Sequence, residues 1–319
     1  MRAATIITCG QPPVVVQRPA PPPGDGTVTV TVTAAPITPL DVLCASGTSY
    51  FGAPAVPYVP GVQGVGTLPD GTAVWFPTDA GMRAGDGSMA ELATVPADTV
   101  VRLPAGADHR LVAALGLSAV AAWQALTWRG ELLPGEQVLI LGGGGVVGQA
   151  AIQLARIAGA RRVVAACRSA AARERATRLG ADAVVALHDT DDVPALARRL
   201  QEATDGPVDL VLDPLFGIPA AAALRTLRGG GRLVNLGSAA GEVAPLDSAT
   251  LRSGSLRVLG YTNVELSTEE RAATMQYLAG HASAGRLVVD HEPVPLDDVG
   301  AAWAAQAAGR APTRMVVVP

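Results

Sequence analysis

The glycine-rich segment Gly142–Gly148 has the composition and position of a phosphate-binding turn. It follows the apolar run Gln137–Leu141, which is typical of a buried strand, and precedes Gln149–Ala158, where Ala, Ile and Leu recur at helical spacing. Such a turn lets the backbone approach an anion closely, and the helix behind it offers free N–H groups and the positive end of its dipole. The spacing fits G-x-G-x-x-G, which predicts that the turn holds the pyrophosphate of a dinucleotide; the alternative is a glycine-rich surface loop. The predicted binding residues are Gly142, Gly143, Gly145, Val146, Val147 and Gly148.

The end of the next apolar strand bears on which dinucleotide binds. Arg162–Ala166 leads into Arg168 and Ser169, about 20 residues after the turn, where a carboxylate commonly binds the ribose hydroxyls of NAD. The first carboxylate here is Glu174, inside the next predicted helix. A guanidinium instead suits the 2′-phosphate of NADPH, because it forms charge-assisted, bidentate hydrogen bonds. We therefore predict NADPH, bound through Arg168, Ser169 and Arg173; the alternative is that these arginines are solvated residues at a helix start.

Hydrophobic patterning divides the chain into zones that would position these residues. Residues 1 to about 105 contain β-branched runs such as Val28–Thr33 between prolines and glycines, which predicts a compact β unit. From about 110 to 262, apolar strands alternate with helical patterns, as in a doubly wound parallel sheet. The remainder predicts helices over Thr268–Ala284 and Leu296–Ala308, a strand near Leu287–Val289 and a last strand over Arg314–Val318.

Bulk composition excludes several classes of function. The 319 residues are 49% hydrophobic and 16% charged, which suits packed domains rather than a disordered chain. The net charge of −4 offers no basic field for nucleic acid, and no apolar run of about 18 residues free of charges and helix breakers predicts a membrane span. The three cysteines are too scattered for a disulfide framework, and no secretion signal is recognised. We expect a cytoplasmic protein that binds a small-molecule substrate.

Four linked motifs lie between Gly87 and Asp182. In order they are "GSMAELATVPADTVVRLP", "AAWQAL", "GEQVLILGGGGVVGQAAIQLARIAGARRVV" and "RLGAD". Together they resemble the medium-chain dehydrogenase/reductase superfamily, and within it the zinc-free quinone oxidoreductase and enoyl reductase branch. The resemblance implies an α/β fold with a Rossmann doubly wound parallel sheet (residues 117–262) inserted into a GroES-like β-rich substrate-binding domain (residues 1–116 plus 263–319). NADPH would lie between the domains, near Leu236, Gly237, Ser238 and Asn263.

The positions that bind catalytic zinc in related alcohol dehydrogenases hold other residues here. The C-G-x-D motif of those enzymes matches Thr38–Asp41, with Thr38 at the ligand position. Their G-H-E motif matches Gly61–Gln63, and the third ligand region, Leu115–Ala121, contains neither Cys nor His. No C-x-x-C is present for structural zinc, and the 4 histidines are scattered. We therefore predict no metal site.

Without zinc to polarise a carbonyl, a conjugated acceptor is the easier target for hydride, because it delocalises the developing charge. The resemblance therefore implies NADPH-dependent reduction of a quinone or of the C=C bond of an α,β-unsaturated carbonyl.

Tyr50 is a catalytic candidate as proton donor. Strict register, however, puts Ser49 at the position where enoyl reductases have their tyrosine. The alternative for Tyr50 is an aromatic side chain that lines the cleft. Thr38 is a second candidate, whose hydroxyl could meet the cofactor ribose or the substrate. Asp41 is expected to organise its loop.

Two other functions stay open at this point. One is a zinc-free alcohol or ketone oxidoreductase, and the other is a non-catalytic NADPH-binding protein with a structural or sensor role.

The run Leu256–Gly260 is predicted to be the sixth strand of the parallel sheet, at its edge. An unpaired edge favours association of two copies, so we expect a homodimer; the alternative is an edge covered within one subunit.

Overall fold

Two units make up the computed structural model, which describes all 319 residues. The first contains Met1–Gly116 and Leu266–Pro319, and the second contains Leu117–Glu265. The first is built mainly from antiparallel strands and the second from a parallel sheet with helices, so the predicted α/β fold class is confirmed. The assignment of substrate binding to the first unit and of NADPH binding to the second remains a prediction.

The secondary structure follows the zones predicted from the sequence. The chain begins with β1 (Arg2–Thr5), β2 (Val14–Gln17), β3 (Thr27–Pro36), α1 (Pro39–Ser46), β4 (Gln63–Thr67), β5 (Ala73–Pro77), β6 (Leu92–Pro96), β7 (Val101–Arg102) and α2 (His109–Gln124). It continues with β8 (Gln137–Leu141), α3 (Val146–Ile157), β9 (Arg162–Cys167), α4 (Ala170–Arg178), β10 (Ala183–Ala186), α5 (Val193–Ala203), β11 (Val208–Asp213), α6 (Gly217–Leu224), β12 (Leu227–Asn235), α7 (Ser248–Ser253) and β13 (Arg257–Gly260). It ends with α8 (Thr268–Ser283), β14 (His291–Pro295), α9 (Val299–Ala307) and β15 (Arg314–Val318).

A seven-stranded sheet organises the first unit. Its order is β14-β15-β3-β4-β5-β7, with β6 also paired to β3, while β1 and β2 form a separate antiparallel pair. The alternating sequence of β3 is reflected in its burial, because Val30 and Val32 are buried and Thr31 between them is exposed. The core behind this sheet includes Phe76 and Trp303.

Six parallel strands form the sheet of the second unit, in the order β10-β9-β8-β11-β12-β13. All residues of β8 are buried, as expected for a central strand covered on both faces. The strands β9 and β10 lie on one side of β8, and the later strands β11, β12 and β13 lie on its other side. Ligands of such sheets bind at the carboxyl ends of the strands where the order reverses, which here is between β8 and β11. β13 lies at one edge, as predicted for Leu256–Gly260.

One predicted strand is wrong. Leu287–Val289 lies in an irregular segment, and the strand that follows α8 is β14. The side chains of Leu287 and Val289 are buried, so their apolar character reflects burial in the core and not strand formation. β14 contains Pro293 and Pro295, which lack the N–H that an interior strand needs, and it is tolerated because it lies at the edge of its sheet.

The stretch His109–Arg129 is the one helical segment that is long and apolar enough to cross a membrane by length and composition. Its backbone is not helical at Gly116, where φ is 30° and ψ is −133°. In its most apolar stretch of 18 residues, 56% is buried inside the protein. The core helix of a folded domain meets the same criterion, so this stretch is weak evidence for a membrane span.

Candidate functional site

The predicted glycine turn joins β8 to α3 in a conformation that needs its glycines. Gly142 has a φ of 66°, in the left-handed region that favours glycine. Gly148 packs directly on the turn, because an ideal Cβ there would lie 2.3 Å from the carbonyl oxygen of Gly142. Gly145 has no such neighbour, since the nearest atom to an ideal Cβ there is 3.7 Å away. The turn is therefore closed against the protein at Gly148 and open at Gly145.

The first turn of α3 presents unpaired backbone donors. The N–H groups of Val146, Val147 and Gly148 donate to no acceptor in the protein. Gly145 caps the helix with extended backbone and has no side chain to cover them, and no acidic side chain lies in the first turn. Three free N–H groups and the positive end of the helix dipole can bind a phosphate.

Arg168, Ser169 and Arg173 lie where β9 leads into α4. The Oγ of Ser169 caps α4 by accepting a hydrogen bond from the N–H of Ala172 at 3.1 Å. Arg173 donates to the carbonyl oxygen of Arg168 at 3.0 Å. The Arg168 side chain is 71% exposed, with its Nε 3.8 Å from an oxygen of Asp189. Ser169 and Arg173 thus support the local backbone, while the Arg168 guanidinium is accessible to a ligand.

A pocket of about 290 Å³ opens beside Arg168 within the second unit. Leu187, Leu215, Ile218 and Pro219 contribute apolar surface to its lining. Its lining also includes His188, Asp189 and Asp191, so the pocket has both apolar and charged walls. The apolar side suits a flat heterocycle, and Arg168 is the group in its wall that can bind a phosphate.

A buried polar pair, which the sequence analysis did not identify, ties together the loops after β11 and β12. Asp213 at the end of β11 is fully buried, and the Nδ2 of Asn235 at the end of β12 donates to its Oδ2 at 3.0 Å. The Oδ1 of Asp213 accepts from the N–H groups of Leu215 at 2.9 Å and Phe216 at 2.8 Å. Burial raises the pKa of Asp213 above its ordinary value, and these hydrogen bonds oppose the rise. The available signal was an aspartate that ends a buried strand and precedes Pro214.

Leu236, Gly237 and Ser238 form the loop held by this pair. The N–H of Leu236 donates to the carbonyl oxygen of Asp213 at 2.9 Å. The carbonyl oxygen of Gly237 accepts from the Nδ2 of Asn235 at 2.8 Å. The Ser238 hydroxyl donates to a nearby glutamate at 2.5 Å. The loop is therefore held at its base, next to the carboxyl ends of β11 and β12.

The amide of Asn263 is used within the protein. Its Nδ2 donates to the carbonyl oxygen of Leu117 at 3.1 Å, and its Oδ1 accepts from the hydroxyl of Tyr261 at 2.7 Å. Tyr261 in turn packs edge-on against Trp128, with ring centroids 6.2 Å apart. These contacts describe a structural residue, and contact of Asn263 with the cofactor stays a prediction.

Thr38 and Asp41, in the first unit, form the N-terminal cap of α1. The N–H and hydroxyl of Thr38 donate to Oδ2 of Asp41 at 2.8 and 2.6 Å, and the Asp41 N–H donates back to the Thr38 hydroxyl oxygen at 3.2 Å. Oδ1 of Asp41 accepts from the N–H of Val62 at 2.9 Å, so the two segments compared with zinc motifs meet here. Burial raises the pKa of Asp41 above its ordinary value, against these hydrogen bonds and the charge of Arg314. Both hydrogen-bonding functions of the Thr38 hydroxyl are used, which favours a structural role.

The two tyrosines of the loop after α1 differ in accessibility. Tyr50 is 79% exposed, with its ring centroid 4.3 Å from that of Phe51. Ser49, which holds the strict register position, is buried, and its hydroxyl accepts from the N–H of Phe51 at 3.2 Å. Tyr58 is buried in the core, and this burial, followed by the charge of Asp41, raises its pKa. Tyr50 therefore presents the accessible phenol, and its role as proton donor stays a prediction.

The other positions compared with zinc ligands contain no metal-binding side chains. Val62 and Leu115 are buried and apolar. The Oε1 of Gln63 accepts a hydrogen bond from the Nε1 of Trp75 at 3.0 Å and fills the space beside Gly116, where an ideal Cβ would be 1.9 Å from it. The structure contains no group of three or more His, Cys, Asp or Glu side chains arranged to hold a metal ion.

Comparison with known proteins assigns the family. The zinc-binding dehydrogenase family matches residues 146–279, a range that begins after the segments compared with zinc ligands. The chain is 32% identical over 275 residues to one component of the phenolphthiocerol/phthiocerol polyketide synthase of Mycobacterium tuberculosis, and the match covers 81% of this chain and only 12% of that protein. It is 27% identical over 249 residues to the quinone oxidoreductase of Homo sapiens, over 76% of this chain and 74% of that protein.

The fold is also that of known oxidoreductases. The structure of the quinone oxidoreductase from Thermus thermophilus, which was also determined as a complex with NADPH, matches with a TM-score of 0.85 and 27% identity over 100% of both chains. The chain therefore belongs to the zinc-free medium-chain dehydrogenase/reductase superfamily of oxidoreductases, in its quinone oxidoreductase and enoyl reductase branch. The family predicted from the sequence motifs is confirmed.

Proposed function

We propose that this protein is an NADPH-dependent oxidoreductase that reduces a quinone, or the C=C bond of an α,β-unsaturated carbonyl compound, without zinc. One observation carries the proposal: three unpaired N–H groups at the open glycine turn lie at the end of β8, and the accessible Arg168 follows the adjacent strand β9. A phosphate site with a guanidinium beside it suits a dinucleotide that carries an additional phosphate.

The residues present fit such a cofactor, because the turn is open where a pyrophosphate would approach and closed at Gly148. The pyrophosphate would contact Gly142, Gly143, Gly145, Val146, Val147 and Gly148. Arg168 would bind the 2′-phosphate, supported by Ser169 and Arg173, and Leu236, Gly237, Ser238 and Asn263 complete the proposed set. A bound nicotinamide supplies the hydride, and the protein supplies orientation and electrostatics. The NADPH complex of the T. thermophilus relative supports the choice of cofactor.

Independence from zinc is proposed from the side chains at the compared positions. Thr38 and Val62 offer no thiolate or imidazole, and the Asp41 carboxylate is engaged by three hydrogen bonds. Polarisation of an isolated carbonyl would need another strong electrophile. A quinone or enone needs less help, because its conjugation spreads the developing negative charge and hydrogen-bond donors can stabilise it.

Tyr50 is the proposed source of the proton that completes reduction. Its phenol is accessible, whereas Tyr58 is buried and the Thr38 hydroxyl already donates to Asp41. A positioned general acid contributes roughly 10²- to 10⁴-fold to such a step. Thr38 stays a second catalytic candidate because of its position alone, since it is the residue that caps the start of α1.

The relatives support the acceptor class from two sides. The likeness to quinone oxidoreductases favours a quinone, and the likeness to a polyketide synthase favours the unsaturated acyl chain of an enoyl thioester. We also propose that the protein works as a cytoplasmic homodimer, without nucleic acid or membrane partners. The exposed residues of β13 at the sheet edge support the association of two copies.

A stopped-flow screen of NADPH oxidation tests this function. NADPH is mixed with quinones, enones, enoyl thioesters or saturated ketones, and NADP⁺ is mixed with simple secondary alcohols for the reverse reaction, each with and without a metal chelator. We expect turnover of at least one conjugated acceptor that the chelator does not change. Turnover restricted to alcohols or ketones would identify an alcohol or ketone oxidoreductase, and tight NADPH binding with no turnover would identify a non-catalytic binding protein.

A further inference from the structure

The buried carboxylate of Asp213 contacts both loops that border the glycine turn on the β11 side. Its Oδ1 accepts from the N–H groups of Leu215 and Phe216, and its Oδ2 accepts from Asn235. These donors are all neutral. Burial of a carboxylate without a countercharge costs folding free energy, so stability alone does not account for the fully buried Asp213. Its presence therefore calls for a role in the arrangement of the two loops.

The Oδ1 side of Asp213 fixes a turn that packs on the proposed pyrophosphate site. An ideal Cβ on Gly142 would be 3.0 Å from the side chain of Leu215 and 3.2 Å from that of Pro214. Leu215 also lines the pocket beside Arg168, and its carbonyl oxygen accepts from the N–H of Ala240 at 2.8 Å. This turn is thus held between the glycine turn and the loop that follows β12.

The Oδ2 side of Asp213 acts through Asn235 on the loop Leu236–Ser238. The same Nδ2 that donates to Asp213 also donates to the carbonyl oxygen of Gly237. Gly237 lies close to the turn that follows β11, because an ideal Cβ on Gly237 would be 2.9 Å from the carbonyl oxygen of Pro214. β11 and β12 lie on the opposite side of β8 from β9 and its Arg168. A dinucleotide that places its adenosine phosphate at Arg168 would extend its other half toward this loop.

We propose that Asp213 and Asn235 are a positioning pair for the nicotinamide half of the bound dinucleotide, an inference that rests on the proposed function. The pair acts through the backbone of Leu236–Ser238, which it holds against the turn after β11. Asp213 is fully buried and does not itself touch a ligand. The pair is therefore distinct from the residues proposed to contact the cofactor.

Two variants break the pair without changing the size of the site greatly. Asp213→Asn keeps the shape but replaces one oxygen with an NH₂ group, so that a donor faces a donor whichever way the amide is turned. Asn235→Ala removes the link to Gly237 and leaves the backbone hydrogen bonds of Asp213 in place. Asp209→Asn is the matched control, because Asp209 lies at the other end of β11, where it accepts from the N–H of Gln137 at 2.7 Å and pairs with Arg228.

The test compares two ligands by fluorescence or calorimetric titration of the full chain. NADPH contains both halves of the dinucleotide, whereas adenosine 2′,5′-bisphosphate contains only the adenosine half with its phosphates. We expect Asn235→Ala to weaken NADPH about tenfold, as for loss of a hydrogen bond to a charged group, and to change bisphosphate binding less than about twofold. Asp213→Asn should weaken NADPH at least as much and should weaken the bisphosphate as well, because Oδ1 of Asp213 also holds the turn of Leu215, which lines the pocket beside Arg168. The double variant should bind NADPH no more than about twofold more weakly than Asp213→Asn alone, because the two residues act as one unit.

Each other outcome overturns the inference in an identifiable way. Equal weakening of both ligands by Asn235→Ala, or the same effect in Asp209→Asn, would show a general loss of structure. Unchanged NADPH binding in both single variants, or additive effects in the double one, would show that the pair does not position the loop. If Asp213→Asn does not fold, the Asn235→Ala comparison decides alone. Failure of the unmodified protein to bind NADPH would overturn the proposed function, and the inference with it.

Discussion

Arg232 and Glu136 form a bidentate ion pair in the interior of the second unit. Two guanidinium nitrogens of Arg232 lie 2.8 and 2.5 Å from the two carboxylate oxygens of Glu136, and the side chains are 3% and 10% exposed. Arg232 also donates to the backbone carbonyl oxygens of Gly130, Glu131 and Asp209. This network lies beside the start of β8, at the opposite end of that strand from the glycine turn.

Glu136→Gln should lower the free energy of unfolding by about 3 kcal/mol, because it leaves the Arg232 charge buried without its partner. Chemical denaturation at neutral pH measures the change. Glu131→Gln is the control, since Glu131 pairs with Arg257 at 3.3 Å on the surface, and an exposed pair contributes less than about 1 kcal/mol. Equal losses in the two variants would contradict a special role for the buried pair.

The same pair predicts the direction of a pH dependence. Burial acts to raise the pKa of Glu136, but the hydrogen bonds and charge of Arg232 outweigh it and hold the pKa below its ordinary value of 4.5. The stability contributed by this group is therefore complete above pH 4.5 and is lost as the pH falls through the lower folded-state value. Unfolding curves at a series of acidic pH values should show a smaller loss of stability in Glu136→Gln than in the unmodified protein. Parallel losses would assign the acid sensitivity to other carboxyl groups.

Gly148→Ala should weaken NADPH binding by about tenfold or more. The added methyl group would meet the carbonyl oxygen of Gly142, so the turn must open and its three N–H groups lose their alignment. Titration with NADPH measures the effect. Gly280→Ala is the control, since Gly280 lies in α8 with nothing within 4 Å of an ideal Cβ, and it should leave binding unchanged. Normal affinity in a folded Gly148→Ala protein would argue against the turn as the pyrophosphate site.

Arg168→Ala should raise the dissociation constant of NADPH about tenfold while changing that of NADH much less, because a charge-assisted hydrogen bond to the 2′-phosphate is lost. The difference should shrink at high salt, since the Arg168 side chain is exposed and its charge is screened. Arg173→Ala should have a smaller effect, because Arg173 donates to the backbone. The assignment would be wrong if Arg168→Ala affected NADPH and NADH equally.

Tyr50→Phe should lower kcat about a hundredfold and leave the KM for NADPH unchanged, as expected for loss of a group that donates a proton to the acceptor and does not bind the dinucleotide. The measurement uses the best acceptor from the screen over a range of pH. Tyr58→Phe is the control, because this buried phenol lies in the core. Unchanged turnover of Tyr50→Phe at every pH would show that solvent delivers the proton.

The sequence predicted the parallel half of the fold well because each of its elements carries a local signal. The apolar run of β8, the glycine turn and the helical spacing of α3 are contiguous, and the structure has them as β8 and α3. β14 was missed for a tertiary reason, since a segment with two prolines becomes a strand only through its pairing with β15 at a sheet edge. The buried irregular residues Leu287 and Val289 took its place in the prediction.

The positions of single candidate residues were predictable from the sequence, whereas contacts between distant residues were not. The place of Arg168 after the strand next to β8 follows from its distance along the chain to the glycine turn, and its binding role stays a prediction. The contact between Asp213 and Asn235 joins the ends of two strands 22 residues apart, and only the pairing of β11 with β12 brings them together. The use of the Thr38 hydroxyl as a helix cap was likewise not predicted from the sequence, although Thr38 and Asp41 have the spacing of a capping box.

The most direct test mixes protein-bound NADPH in single turnovers with two compounds of the same carbon skeleton, cyclohexenone and cyclohexanone, in the presence of a chelator. Loss of the nicotinamide absorbance reports hydride transfer. Reduction at a conjugated C=C bond without zinc predicts that the enone oxidises NADPH about a hundredfold faster than the saturated ketone, with a saturated product. Faster reaction of the saturated ketone, or reaction only after zinc is added, would contradict this account.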